Sequence, residues 1–328
     1  MTAAAPLLSV RDLKVHFEVK GESIWPWTPS RWLKAVDGVS FDVAPGETLG
    51  IVGESGCGKS TLARAMLNLI PASSGSIVWQ GQELYGASPP VWQGVRKNIQ
   101  MIFQDPLASL DPRMTIGQII AEPLRTHYPK MSNADAMQKV RAMMDKVGLT
   151  EQQINRYPHE FSGGQCQRIG IARALVMEPR LVICDEPVSA LDVSIQAQII
   201  NLLMELQAQM GLALVFIAHD LAVVRHISQR VMVMYLGRTM ELAGKQAIYQ
   251  NPGHPYTQAL LSAVPTPDPR LERHKKIELL QGELPSPISP PSGCIFRTRC
   301  PKAIARCAEQ RPELRALNPD TQVACDLS

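Results

Sequence analysis

The stretch Gly-Glu-Ser-Gly-Cys-Gly-Lys-Ser-Thr at residues 53–61 decides the fold. It fits the pattern G-x-x-x-x-G-K-[ST], in which glycines allow backbone N–H groups to turn towards phosphate oxygens. An apolar run at 48–52 precedes it and a helical pattern at 60–69 follows it, so the loop joins a predicted strand to a predicted helix. The start of a helix adds partial positive charge that favours an anion. The stretch therefore predicts a nucleoside triphosphate site.

Side chains in this loop have distinct predicted roles. Lys59 supplies a point charge to the β- and γ-phosphates, and the Ser60 hydroxyl is placed to ligate Mg²⁺. The residues expected to contact the nucleotide here are Gly53, Ser55, Gly56, Cys57, Gly58, Lys59, Ser60 and Thr61.

Strand and helix patterns alternate on both sides of the loop. Alternation of this kind is typical of a parallel sheet covered by helices. The segment at about 105–178 is mostly helical and predicts a helical insertion into the α/β core. We predict strands at 8–19, 36–43, 181–184 and 214–218 (the first two antiparallel partners, joined through a loop at 25–29) and helices at 134–146, 165–177 and 196–209.

Two acids end an apolar strand at 181–184. Because ligands of open α/β sheets bind at the carboxyl ends of strands, both side chains are expected near the phosphates. Asp185 is placed to hold Mg²⁺ through its water shell, and Glu186 to polarise the attacking water as a general base. His219 follows the next strand and is expected to bond the γ-phosphate. Gln104 ends the run 99–103 and is expected to reach Mg²⁺ or the water.

A second helix start carries the features of an anion site. Ser162 is a good N-cap, and Gly163 and Gly164 expose backbone N–H groups before Gln165. One nucleotide does not need two such sites within one chain. Two chains arranged head to tail, each phosphate loop facing the partner's second site, would use both; the alternative is an ordinary capped helix.

This ordered set resembles the ATPases of ABC transporters over about residues 8–260. The phosphate loop resembles Walker A, and the run ending in Asp185 resembles Walker B. Phe17 falls where that family places an aromatic ring against adenine. The remaining matches are the Q-loop (Gln104), the signature (Ser162, Gly163, Gly164, Gln165), the catalytic glutamate (Glu186), the D-loop (189–192, with Asp192 towards the nucleotide) and the switch histidine (His219).

The resemblance implies a P-loop NTPase core with an antiparallel β-subdomain and a helical insertion, and ATP and Mg²⁺ as ligands. It places the nucleotide-binding domain at 1–262, its helical subdomain at about 105–178, and a small cysteine-containing extension at 263–328.

Residues 251–257, 103–110 and 156–160 further resemble the peptide-permease ATPases, in particular the F-type subunits of oligopeptide permeases. That resemblance implies a bacterial importer of oligopeptides, with dipeptides or murein peptides as alternatives. Its parts would be two membrane-spanning subunits, a homologous second ATPase chain and an extracytoplasmic peptide-binding protein.

The tail carries Cys294, Cys300, Cys307 and Cys325. Their spacing lacks the C-x₂-C pairs of common zinc sites, yet thiols gathered in a small segment suggest a metal that stabilises it. Resemblance to the peptide-permease ATPases implies a [4Fe–4S] cluster, with zinc or free thiols as alternatives. Cys57, Cys166 and Cys184 are expected to fill space.

Composition excludes other classes. A net charge of +3 and 5% aromatic residues argue against nucleic acid as a partner. No apolar stretch reaches the roughly 18 residues of a membrane span, and residues 1–8 lack a secretory signal, so we expect a cytoplasmic protein held peripherally at the inner membrane by partners. Two alternative functional classes fit the sequence less well. A soluble ABC clamp usually carries two cassettes or a long coiled coil, and a small-metabolite kinase leaves 162–165 unexplained.

Overall fold

The computed structural model describes residues 5–19, 30–265, 270, 273, 280 and 282–328. They form two compact units. The first unit is built mainly from the residues of Gly86–Ala218, with Val43–Thr48; the second is built from the described residues of Leu8–Asp42, Leu49–Tyr85 and His219–Ser328. No helix among the described residues combines the length and apolar character that a bilayer crossing requires.

Strands and helices alternate through most of the chain. The strands in the described ranges are β1 (Leu8–Val19), β2 (Arg31–Val43), β3 (Thr48–Val52), β4 (Ser74–Trp79), β5 (Gln82–Glu83), β6 (Ile99–Ile102), β7 (Leu181–Asp185), β8 (Ala213–Ile217), β9 (Arg230–Tyr235), β10 (Arg238–Gly244), β11 (Arg315–Asn318) and β12 (Thr321–Val323). The helices in the same ranges are α1 (Lys59–Met66), α2 (Pro89–Val95), α3 (Ile116–His127), α4 (Asn133–Lys146), α5 (Gly163–Leu175), α6 (Val193–Met210), α7 (Leu221–Ile227), α8 (Lys245–Gln250), α9 (Pro255–Ser262) and α10 (Arg306–Glu309).

The first unit contains parallel strands in the order β6, β7, β8. Every residue of β7 and β8 is buried, which is the expected pattern for strands covered on both faces. Helices α3, α4 and α5 lie within the segment predicted to be a helical insertion. Strands β7 and β8 and these helices therefore lie where the sequence predicted them, and β6 coincides with the apolar run at 99–103 that was not predicted as a strand.

The second unit contains an antiparallel sheet and a mixed sheet. Strands β2, β1, β4 and β5 are neighbours in the first, with β1 antiparallel to β4. In the second, β3 runs parallel to β9, and β10, β12 and β11 follow in antiparallel order. The C-terminal strands β12 and β11 thus extend the sheet through β10. Tyr235, Tyr256 and Phe296, all fully buried, pack against one another in this unit with ring centroids 4.8–5.4 Å apart.

Most predicted element bounds agree with the structure to within a few residues. The predicted helix at 60–69 ends earlier, at Met66, because Asn68 adopts a left-handed backbone with φ 51°. The helix predicted at 196–209 begins at Val193, because Asp192 caps it. The loop predicted at 25–29 lies outside the described residues.

Candidate nucleotide-binding site

The phosphate loop lies between β3 and α1 in the second unit. Gly58 is the N-cap of α1, with φ 102°, and a Cβ there would stand 2.0 Å from the Ala35 carbonyl oxygen. A Cβ on Gly53 would stand 2.2 Å from the carbonyl oxygen of Met234. Because both obstacles are backbone atoms, only glycine fits at either position. Neighbouring strands therefore fix the path of the loop.

Lys59 is buried at the start of α1. Its Nζ donates to the carbonyl oxygens of Gly53 (2.8 Å) and Glu54 (3.1 Å). Ser55 and Gly56 are exposed, and Ser60 and Thr61 are half-buried in the first turn of α1. The loop thus presents exposed backbone at its tip and a lysine at its base.

Cys57, by contrast, points into the protein. Burial raises the pKa of its thiol, which keeps it neutral. This agrees with a space-filling role for its side chain.

Phe17 and His219 also belong to the second unit. The Phe17 ring on β1 is 37% exposed, so it is not a core residue and is available to a ligand. His219 is exposed and follows β8 by two residues. Next to it, Asp220 caps α7 by accepting a hydrogen bond from the Ala222 backbone N–H (2.7 Å). Capping fixes the backbone direction immediately after His219.

The carboxylates lie in the first unit, at the end of β7. Asp185 is the last residue of that strand and is 1% exposed. Glu186 follows it, and its backbone N–H donates to the Ile217 carbonyl (3.1 Å). The Gln104 side-chain amide donates to Glu186 Oε2 (3.3 Å). The structure therefore brings together two residues separated by 82 positions in sequence, Glu186, predicted to polarise the attacking water, and Gln104, predicted to reach Mg²⁺ or that water.

Glu186 also has an unusual backbone. Its φ of 47° lies in the left-handed region, which costs a glutamate on the order of 1 kcal/mol. The Glu186 carbonyl is held by the Ser189 backbone N–H (3.2 Å) and hydroxyl (3.0 Å). Ser189, in the predicted D-loop, thus helps to fix the backbone of the predicted general base.

The signature residues open helix α5 in the same unit. Ser162 Oγ accepts from the Gln165 backbone N–H, and the Gln165 side chain accepts from the Ser162 N–H (3.0 Å), forming a capping box. Ser162 and Gly163 are exposed. A Cβ on Gly164 would stand 2.6 Å from the Ile195 side chain, so α5 and α6 approach closely at this point.

Asp192 caps α6 and lies about one helical turn before Ile195, the residue that Gly164 of α5 approaches. Its carboxylate accepts from the Ile195 backbone N–H (3.1 Å), and this bond lowers the pKa of Asp192. The start of the signature helix and the end of the D-loop therefore lie against each other. The sequence predicted each of these elements but not their mutual contact.

The four tail cysteines lie in the second unit with free thiols. Burial raises the pKa of the Cys294 thiol, and the neighbouring thiols of Cys307, Cys300 and Cys325 raise it further, so the four lie within electrostatic range. Across the described residues, however, no group of three or more His, Cys, Asp or Glu side chains is spaced to hold a metal ion. The thiols are gathered but do not form a ligand set.

Sequence reasoning missed the residues that hold Glu54, the second residue of the phosphate loop. Arg299 Nη1 donates to Glu54 Oε2 (2.7 Å), and the Tyr256 hydroxyl accepts from the Glu54 backbone N–H (3.0 Å). These partners lie 245 and 202 positions away along the chain. No local pattern marks contacts of that range.

Comparisons with known proteins agree with this arrangement of elements. A family model described as ABC transporter matches residues 36–189. A dimeric ATP-binding cassette solved in a post-hydrolysis state with ADP and phosphate is 25% identical, with a TM-score of 0.64 over 73% of this chain and 98% of that one. Part of an ABC transporter complex from Clostridium perfringens is 26% identical, with a TM-score of 0.63 over 75% and 91%. The fold is that of an ABC ATPase, a P-loop NTPase, which confirms the predicted fold class.

Relatives found by sequence point to a narrower family than the fold does. The oligopeptide transport ATP-binding protein OppF of Escherichia coli K12 is 67% identical over 94% of this chain and 92% of its own. OppF of Haemophilus influenzae is 62% identical over 97% and 96%, and AppF of Bacillus subtilis 54% identical over 100% and 99%. A model described as the C-terminal region of oligopeptide/dipeptide transporters matches residues 240–307.

The chain belongs to the family of oligopeptide transport ATP-binding proteins. It is an ATP-binding and ATP-hydrolysing subunit of an ABC transporter, a class that acts in dimers together with membrane permease subunits. The family and the enzyme class predicted from the sequence are confirmed.

Proposed function

We propose that this chain hydrolyses ATP to power uptake of oligopeptides through membrane-spanning partner subunits. The proposed substrate class is supported by the 67% identity to an oligopeptide transport ATP-binding protein across nearly the whole chain. Dipeptides and murein peptides are the alternative cargoes, and the C-terminal family model names oligopeptides and dipeptides together.

The site residues have separate proposed roles. The phosphate loop, from Gly53 to Thr61, binds the triphosphate, with Lys59 on the β- and γ-phosphates. Ser60, Gln104 and Asp185 are proposed to hold Mg²⁺, directly or through water; an oxygen-rich set of this kind suits that ion. The half-exposed Phe17 ring stacks on adenine in this proposal. Mg²⁺ would neutralise charge that develops on the phosphates.

Hydrolysis is proposed to depend on Glu186. Its carboxylate polarises the attacking water, and His219 bonds the γ-phosphate. Gln104, whose amide donates to the Glu186 carboxylate (3.3 Å), helps to orient that water. The strained Glu186 backbone supports the role of its carboxylate, because strain at a fixed position is common where a side chain must be aimed.

The second anion site is proposed to act in trans. Ser162, Gly163, Gly164 and Gln165 would bind the nucleotide on a homologous second ATPase chain, and Asp192 would stand beside it. Exposure of Ser162 and Gly163 at a helix start supports an intermolecular role. Closure of such a dimer would move the helical segment at 105–178 against loops of the membrane subunits.

The finer organisation follows from the same proposal. The nucleotide-binding domain would span 1–262 and the extension 263–328. The chain would sit peripherally on the cytoplasmic face of a bacterial inner membrane, with two permease subunits and an extracytoplasmic peptide-binding protein as further partners.

We further propose a [4Fe–4S] cluster on Cys294, Cys300, Cys307 and Cys325, with zinc or no metal as alternatives. Support comes from resemblance and from the electrostatic proximity of the thiols, although the side chains are not in ligand geometry. Iron, sulfide and zinc analysis of anaerobically purified protein tests it. Absence of iron and sulfide rules out the cluster.

The function is tested with the full transporter in proteoliposomes, comparing the native chain with Glu186→Gln. Native protein should couple phosphate release to uptake of labelled peptides. The variant should bind ATP, remain in a closed dimer and lose roughly 10²–10⁴-fold in turnover. Unchanged turnover would contradict the assignment of the base. Uptake of dipeptides or murein peptides but not of longer peptides would contradict the cargo.

A further inference from the structure

Glu54 in the phosphate loop contacts two residues far along the chain, Tyr256 and Arg299. Glu54 is not among those proposed to touch the nucleotide, yet three elements hold it. Lys59 donates to its carbonyl oxygen, Tyr256 accepts from its backbone N–H, and Arg299 pairs with its carboxylate. All these groups lie in one compact unit.

The ion pair is well shielded. The Arg299 side chain is 9% exposed and the Glu54 side chain 26%. The guanidinium carbon also lies 5.9 Å from the centre of the Tyr235 ring. Burial opposes the charge on Arg299, but its hydrogen bond to the Glu54 carboxylate prevails and raises its pKa. An arginine held in this way fixes the position of its carboxylate partner better than a solvated surface pair does.

Rigid surroundings support Arg299 in turn. It lies three residues after Phe296, whose fully buried ring packs on Tyr235 and Tyr256. Cys300 follows directly, so the arginine belongs to the cysteine-bearing tail. The aromatic cluster therefore anchors two of the three groups that hold Glu54, Tyr256 and Arg299.

We propose that Arg299 is a positioning residue for nucleotide binding: through Glu54 it holds the phosphate loop in its binding shape, so that ATP affinity depends on the C-terminal extension. The extension thereby acts on the ATP site from a distance in sequence. A loop held in its binding conformation loses less conformational freedom when ligand arrives, which increases affinity. This inference rests on the phosphate-loop role proposed above.

The test measures binding of a fluorescent ATP analogue with Mg²⁺ to the full-length chain. Arg299→Met removes the charge but keeps most of the side-chain volume. It should raise Kd about fivefold to tenfold, less than the full worth of a charge-assisted hydrogen bond, because Arg299 acts on ATP only through Glu54. Arg299→Lys should retain most of the affinity. Arg297→Ala is the matched control, because the Arg297 guanidinium bonds Ser292 within the tail, and should leave Kd unchanged.

A double-mutant cycle distinguishes an effect of Arg299 on the position of Glu54 from an unspecific loss of structure. If Arg299 acts through Glu54, Arg299→Met should change Kd by less than about twofold in a Glu54→Ala background. An equal effect in both backgrounds, or no effect in the native background, overturns the proposal. Should Arg299→Met fail to fold, Arg299→Lys measured with and without Glu54→Ala decides it, through a smaller Kd change that must likewise vanish without Glu54.

Failure of this inference is distinguishable from failure of the proposed function. A native chain that binds no ATP contradicts the function itself. A native chain that binds ATP, with Arg299→Met binding equally well, contradicts only the role of Arg299.

Discussion

Acidification should destabilise this protein through one buried histidine. His254 precedes α9, is 1% exposed, and its Nδ1 accepts from the Tyr256 backbone N–H (3.0 Å). Burial lowers the pKa of His254 to about 4, although a hydrogen bond with the Ala324 backbone raises it in part. A protonated ring would lose its acceptor nitrogen and place positive charge at a helix N-terminus. The folded state therefore requires the neutral ring.

The direction of the effect follows from proton linkage. In the unfolded chain the histidine has a pKa near 6.5, so between about pH 6.5 and 4 the unfolded state binds more protons than the folded state. Stability from this group is present above pH 6.5 and is lost as pH falls towards 4. At roughly 1.4 kcal/mol per pKa unit, the loss is about 2 kcal/mol between pH 7 and 5 and about 3 kcal/mol at pH 4.

Chemical denaturation at several pH values measures how the free energy of unfolding depends on pH, with His254→Asn as the comparison. Asparagine can still cap α9 but does not titrate, so its stability should change less between pH 7 and 4. The buried carboxyl of Glu241, which accepts from the His254 backbone N–H, is present in both proteins, so the difference between them isolates the ring. Equal slopes for the two proteins, or an NMR titration of His254 near pH 6.5, would refute the reasoning.

Further predictions concern the phosphate loop and the signature helix. Lys59→Ala removes the charge at the base of the loop and should weaken ATP binding by at least about tenfold in equilibrium titration; normal affinity would contradict its phosphate role. Gly164→Ala places a methyl group 2.6 Å from the Ile195 side chain and should cost about 1–3 kcal/mol in thermal unfolding. Adding Ile195→Ala, which removes the crowded Cγ2 methyl group, should restore part of that loss, and an additive second loss would show that crowding is not the cause.

Local chemistry explains why so many candidate site residues could be named from the sequence. A phosphate loop needs its glycines, lysine and hydroxyl within nine residues. An apolar run followed directly by two acids likewise shows, within a few residues, that the acids lie at the end of a buried strand. The same holds for Ser162, whose capping box with Gln165 closes over three positions. Helix bounds agreed to within a few residues for the same reason, because the caps that set them are local, although the cap at Asp192 was not used to place the start of α6.

What could not be predicted depends on contacts between distant segments. Nothing near Gln104 in sequence indicates that its amide reaches Glu186. Likewise nothing near Glu186 indicates its positive φ or the bond from its N–H to Ile217, 31 positions away. The approach of Gly164 to Ile195 depends on how two helices pack. Such features arise from the folded backbone, which a pattern of residue types does not specify.

In the C-terminal region, backbone pairing and side-chain contacts between distant segments act together. Its strands β11 and β12 continue a sheet through β10, and β9 in that sheet runs parallel to β3, the strand that leads into the phosphate loop. Because Arg299 also pairs with Glu54, the extension is tied to the loop through both backbone and side chains. A change in the tail that moves Phe296 must therefore be transmitted to Glu54 or absorbed by the buried aromatic cluster, and close-packed interiors absorb little.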